Sequence, residues 1–214
     1  MFVLTADQVH SRRVGDRVPE ALAALDAAVG PTQGLVIAFE RTVGDELQGV
    51  LDRSSGIVRA VETLTRQGQW RIGVGVSSDR SSGLPGSARE ATGPAFLAAR
   101  QAIERARSSP ADCAVAWAGG EPTGEQRLLA GGGDLLVQQA EGVLWLLVST
   151  WRRRTPEGWE VVDLVRGGNR AEAAGALGVS ASAVTQRLRA AAYREAERAS
   201  RSLEWLLDQT GAGA

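Results

Sequence analysis

The sequence predicts an α+β protein in which a sheet-bearing unit over residues 1–120 is joined by a linker, 121–133, to an all-helical unit over 134–214. Three observations predict it. Up to Ala118, short apolar runs and amphipathic stretches succeed one another in the order β-α-β-β-α-β-α-β. From Gly119 to Gly133 the chain is rich in Gly, Pro and polar residues, as linkers are. Beyond it, every apolar pattern has the period of a helix.

Phe2-Val3-Leu4-Thr5 reads as the first strand, and Val18, Leu22, Leu25 and Val29 recur at helical spacing between Pro19 and Gly30. Leu35 to Thr42 and Leu47 to Leu51 are strand-like runs around Val43-Gly44-Asp45-Glu46, whose glycine and acidic residues suit a hairpin tip. Asp52 is placed to cap a helix that buries Ile57, Val58, Val61 and Leu64. From Trp70 to Val76 large apolar residues alternate with Arg71, Gly73 and Gly75, so another backbone or a ligand is expected to approach this strand closely. Ser77 to Thr92 reads as loop, Ala95 to Arg107 as helix and Ala114 to Ala118 as strand. This order suits helices on one face of a mainly antiparallel sheet.

In the second half, Leu135, Leu136, Val143, Leu146 and Leu147 form an amphipathic stripe running to Trp151, and Arg152-Arg153-Arg154 ends it in the sense a helix dipole favours. Composition narrows the function classes. With 43% hydrophobic and 23% charged residues the chain has the balance of a soluble globular protein. Met1 to Asp7 lacks the cationic start and long apolar stretch of a signal peptide, and the longest strongly apolar segment, Gly142 to Trp151, is about half of what a bilayer span requires. A cytoplasmic protein with no membrane partner is therefore expected. The lone Cys113 excludes an intrachain disulfide or a cysteine-rich metal site, and lies in an apolar run where a thiol behaves as a small hydrophobe.

A net charge of −1 gives no general affinity for nucleic acid, so such binding has to come from the distribution of charge. Asn169 to Arg189 has the layout of two helices about a tight turn. Ala174 is small where they would cross, Gly178 suits the left-handed turn position, and Ser180 caps the second helix. Leu177, Val179, Val184 and Leu188, with Val161, Leu164 and Val165 from a preceding helix, face a shared core. Ala181, Ser182, Thr185, Gln186 and Arg189 are left outside, where short polar side chains can enter a major groove, Gln186 can pair with adenine and arginine can read guanine. Arg166, Arg170, Arg187, Arg189 and Arg194 face one acid, Glu172, over residues 166–194, concentrating positive potential where phosphates would lie. Arg170, Ala181, Ser182, Thr185, Gln186, Arg187 and Arg189 are thus the candidate contacts of a helix-turn-helix with double-stranded DNA. The tail from Glu195 to Leu207 is expected to pack back or to dimerise.

Val3-Leu4-Thr5-Ala6-Asp7-Gln8-Val9-His10-Ser11, Arg41-Thr42-Val43-Gly44-Asp45, Arg71-Ile72-Gly73-Val74-Gly75 and Ala98-Ala99-Arg100, in that order and spacing, resemble the catalytic domain of class III nucleotide cyclases. The whole chain resembles the SatD-like proteins, in which such a domain precedes a helix-turn-helix. The hairpin Gly44-Asp45-Glu46-Leu47 is also similar to that of diguanylate cyclases, one glycine short. The resemblance implies a ferredoxin-like, nucleotide-cyclase-like antiparallel sheet. It implies that Asp7 and Asp45 hold Mg²⁺ or Mn²⁺ with a purine nucleotide, that the amides of Gln8, Val9, His10 and Ser11 cradle its phosphates, and that Arg41 (base), Gly44 and Arg100 complete the site. Phe96 stands where cyclases carry an asparagine, which removes a hydrogen-bonding group, so the reading leans against an enzyme and assigns no catalytic residue. A nucleotide sensor, an active cyclase localised by its helix-turn-helix and a ligand-free dimerisation scaffold stay open as roles for the first half. A homodimer is expected on all three.

Overall fold

The structure, a computed structural model, describes residues 1–78, 87–89, 92–118 and 131–212. Most of the expected linker, and most of the 77–92 loop, lies outside the described residues; the last three linker residues, 131–133, belong to a helix.

The strands are β1 (Phe2–Gln8), β2 (Leu35–Arg41), β3 (Glu46–Leu51), β4 (Trp70–Val76) and β5 (Cys113–Trp117). In the first half the helices are α1 (Ser11–Val14), α2 (Val18–Ala28), α3 (Ser54–Gln67) and α4 (Pro94–Ala106). In the second they are α5 (Gly131–Arg152), α6 (Pro156–Gly167), α7 (Arg170–Leu177), α8 (Ala181–Ala190) and α9 (Tyr193–Ala212). The protein is α+β with one mixed sheet in the order β2-β3-β1-β4-β5. Its first three pairings are antiparallel, and β4 and β5 run parallel.

Strand alternation sorts the sheet's two faces. Phe2, Leu4 and Ala6 of β1, with Ile72 and Val74 of β4, join Ile57, Val61 and Leu64 of α3 and Leu25 of α2 in the largest core. Val3 and Val50 face the other way, onto Ala95, Phe96 and Ala99 of α4. The expectation of helices on one face is therefore corrected: α4 covers the second face. Gly73 and Gly75 permit it, because a Cβ at Gly75 would run into the Ala95 carbonyl and the Ala99 amide, and one at Gly73 into the backbone of Ala99 and Ile103. The close approach expected of these glycines is that of a helix backbone. A second correction concerns α3, whose N-cap is Arg53 rather than Asp52, with no side chain capping it.

The helices after residue 131 divide. α5 seals the free edge of β5: Glu141 accepts from the Val115 amide at 2.8 Å, and Trp145 Nε1 donates to the Cys113 carbonyl at 2.8 Å. Leu144, Leu147 and Trp151 of α5 and Leu203, Leu206 and Leu207 of α9 belong to the same core as the strands. By contrast α6, α7 and α8 gather around a core of their own, made of Val161, Val162, Ala173, Val184, Leu188 and Ala191. Among the described residues no helix is long and apolar enough to cross a membrane.

Candidate functional sites

At one end of the sheet, Asp7 lies opposite Glu46 of β3 and Arg71 of β4. The Gln8 amide donates to the Asp45 carbonyl at 3.2 Å, which fastens the hairpin tip to the end of β1. The two aspartates are brought close enough for Asp45 to act on Asp7 electrostatically. Burial first, then the charge of Asp45, raises the Asp7 carboxyl above its ordinary value, although Arg71 donates to it at 2.9 Å and opposes the shift. Two carboxylates of this kind are hard oxygen donors, a set that suits Mg²⁺ when phosphate oxygens complete its shell. Among the described residues no three His, Cys, Asp or Glu side chains form a metal-holding group, so a nucleotide's own oxygens would be needed.

The phosphate cradle is only partly available. The Gln8 amide is taken by Asp45, and the Val9 amide donates to the Gln69 carbonyl at 2.7 Å. Gln8 itself is buried and braces the following turn, donating to the Gly15 carbonyl at 2.6 Å and accepting from the Arg17 amide at 2.9 Å. Of the four expected donors, the amides of His10 and Ser11 remain, at the start of a single-turn helix where His10 has a φ of 61°. A helix of one turn adds little dipole.

Arg41 is turned toward its own neighbourhood. It donates to Asp16 at 2.5 Å and to the Gly44 carbonyl at 2.8 Å, and its hydrogen bond holds the Asp16 carboxyl below the usual carboxylate range. Arg100 is exposed on α4 and lines a cleft of about 280 Å³ with Thr5, Thr42, Glu46, Gln48 and Phe96. Thr5 and Asp7 share a face of β1, so this cleft opens on the Asp7 side of the sheet. Arg100 and Asp7 therefore border the same face, with Phe96 in the cleft wall and packed in the α4 core.

The second site is built by three caps. Thr155 accepts from the Gly158 amide at 3.1 Å to start α6. Asn169 and Glu172 form a reciprocal capping box at α7, and Ser180 accepts from the Ala183 amide at 3.2 Å to start α8. Between α7 and α8, Gly178 takes a φ of 61°, the left-handed turn conformation. With Val184 and Leu188 buried, Ala181, Ser182, Thr185, Gln186 and Arg189 are exposed along one edge of α8. Arg170 is exposed at the start of α7, and Arg187 is partly exposed. Thr185 spends its hydroxyl proton on the Ala181 carbonyl at 3.0 Å, leaving its oxygen as an acceptor.

Among the described residues Arg170, Arg187, Arg189 and Arg194 form no ion pair. Arg166 does not belong with them. It grips Glu62 with two nitrogens at 2.8 and 2.9 Å and Glu197 at 2.6 Å, so the positive charge expected over 166–194 is smaller on the surface by one arginine.

Glu62 is the residue that sequence reasoning missed. On an amphipathic helix a lone glutamate reads as a surface charge, yet this side chain is buried and holds Arg59, Arg154 and Arg166. Its signal was spatial: besides Arg59 one turn away on the same helix, two arginines about a hundred residues further on, Arg154 and Arg166, converge on it. No protein-family model, no curated protein and no solved structure matches the chain.

Proposed function

We propose that this protein is a DNA-binding regulator of transcription whose helix-turn-helix is α7, the Gly178 turn and α8. The observation that carries the reading is the polar edge of α8, which stands free of the three-helix core beside arginines that no carboxylate of the described residues neutralises. Capped, short and polar at its start, α8 has the properties of a helix that enters a major groove. The identity as a SatD-like protein, the cytoplasmic location and a homodimer reading two half-sites about one helical turn apart are parts of the same proposal.

The test is selection of duplex sites from genomic fragments by the full-length protein, followed by titration of the selected duplex. Gln186→Ala and Arg189→Ala are each expected to weaken it by about 1–3 kcal/mol and to relax preference at one position. Failure to enrich any sequence, or equal affinity of both variants for the enriched one, defeats the assignment.

A second reading concerns the sheet, and the adjacency of Asp7 and Asp45 favours it. The antiparallel order β2-β3-β1-β4, with α2 and α3 on one face, supports a ferredoxin-like, nucleotide-cyclase-like unit. On this reading Asp7 and Asp45 hold Mg²⁺ or Mn²⁺, which would neutralise the phosphates of a purine nucleotide, and Arg100 approaches it from the cleft. Phe96 supplies no hydrogen bond, which supports a sensor over an enzyme. Calorimetry with ATP and GTP, with and without Mg²⁺, is expected to show metal-dependent binding that Asp45→Ala abolishes. Formation of a cyclic product would convert the sensor into a cyclase, and no binding at all would leave a dimerisation scaffold.

A further inference from the structure

A second cleft, of about 330 Å³, lies where α3, the end of α5 and the start of α6 meet. Thr65, Arg66, Trp151, Arg152, Arg154 and Trp159 line it, with Pro156 at the first turn of α6. Three of these are arginines and none is an acid. The volume is that of a small-ligand site, and two tryptophans supply apolar wall beside the charge.

The lining residues are underbonded in one chemical sense. The Arg154 side chain is 1% exposed, and of its donors only Nε–H is satisfied, by the Ala191 carbonyl at 2.8 Å. Among the described residues neither of its terminal nitrogens has a hydrogen-bond partner; the nearest carboxylate there, Glu62, is at 3.6 Å, beyond hydrogen-bonding distance. The guanidinium instead lies over the Trp159 ring, 4.5 Å from its centroid. Thr65 Oγ1 and Trp151 Nε1 are likewise buried and unpaired. Arg66 and Arg152 each have one acidic neighbour away from the cleft, Asp163 at 2.6 Å and Asp112 at 3.1 Å. Buried donors without partners are rare, and among the described residues those of Thr65, Trp151 and Arg154 gather around one opening, with Arg71 Nε and Trp117 Nε1 elsewhere.

We infer that this cleft is a binding site for the phosphate group of a small metabolite. A phosphate offers several charged oxygens to donors arriving from different directions, which a carboxylate matches less well, and arginine forks are suited to it. The organic part of the ligand lies at the mouth of the cleft, beside Pro156. The position is as informative as the chemistry: Thr65 and Arg66 belong to α3 under the sheet, whereas Pro156 and Trp159 open the three-helix unit, so an anion here ties the two together. That occupancy changes DNA affinity rests on the function proposed above; phosphate binding does not.

The test is calorimetry and thermal shift on the full-length protein in chloride buffer without DNA, using inorganic phosphate, pyrophosphate and a nucleoside monophosphate. At least one is expected to bind at a single site and to raise the melting temperature. Thr65→Val and Arg152→Gln, which keep volume or lie at the rim, are each expected to raise its Kd at least tenfold, while Asp7→Asn leaves it unchanged. The three arms separate free phosphate from a phosphorylated metabolite. The inference is overturned if none of the probes binds, if Thr65→Val and Arg152→Gln bind as tightly as the wild type, or if Asp7→Asn abolishes binding.

Discussion

Ionisation of Asp7 runs against the preference of its surroundings, because burial and the charge of Asp45 together outweigh the help of Arg71. In the unfolded chain its carboxyl loses its proton around 3.8. In the native state the proton is held to higher pH, so folding stability falls as pH rises from 3.8 through the raised native value, and the cost persists at neutral pH. Below 3.8 both states are protonated and the cost vanishes. Asp7→Asn is accordingly expected to raise the melting temperature at pH 7 in metal-free buffer, with a gain that shrinks as pH is lowered toward 3.8. Calorimetric scans across that range check it, and a variant that melts lower at pH 7 would contradict it. Cys113 makes the opposite kind of residue, a titratable group with nothing to do. Burial pushes its thiol up to about 12, so roughly one molecule in ten thousand carries a thiolate at pH 8. A thiol-specific disulfide reagent should leave the native protein unlabelled and titrate one equivalent in denaturant.

At the scale of elements, the pairing of β4 with α4 depends on two hydrogens where side chains would be. Gly75→Val would force α4 away from the sheet and open the Ala95, Phe96 and Ala99 core, with an expected loss of about 3 kcal/mol. Urea unfolding followed by circular dichroism measures it, and an unchanged midpoint would mean that α4 does not rest there. The alternation of Trp70, Ile72 and Val74 with Arg71, Gly73 and Gly75 made this strand legible, and the glycines announced a close approach. What the alternation did not reveal was which element approaches, since a strand with large residues on one face and glycines on the other looks one-sided. The Gly178–Ser180 turn was legible for a different reason: its signals are local, each residue acting on backbone within a few positions. Asp52 misled because a capping residue is recognised by type, whereas its neighbours decide where the first turn begins; its amide is instead engaged with the Gly34 carbonyl at 2.8 Å. In the candidate nucleotide site the same division holds. The aspartates were placed correctly at the strand end and the hairpin tip, but the engagement of the Gln8 and Val9 amides follows from tertiary pairing that no spacing encodes.

Across the whole molecule, one carboxylate governs how the three-helix unit sits on the sheet. Glu62 of α3 receives Arg166 of α6 through both oxygens, lies beside Arg154 from the turn before α6, and is 5% exposed at its side chain. Arg66 of the same helix pairs with Asp163 and stacks on Trp159, adding a second tie on the surface. Meanwhile α5 and α9, which flank the three-helix unit in sequence, bury Leu144, Leu147, Trp151, Leu203 and Leu207 in the core that holds the strands. The helical half therefore shares the sheet's largest core as well as holding one of its own, and does not separate from the sheet without exposing apolar surface. Glu62→Gln keeps the shape and removes the charge, leaving Arg154 buried with no carboxylate and Arg166 with Glu197 alone. Breaking one side of a buried ion pair costs about 3–5 kcal/mol, and because Arg166 is a quarter exposed by side chain the lower end is expected here, about 3 kcal/mol. Since the lost contact joins both cores, the loss should appear as one transition at lower denaturant, reported together by far-ultraviolet dichroism and by tryptophan fluorescence. Two transitions in the variant, with the second at the wild-type midpoint, would instead mean that the sheet is stable without its tie to the helices.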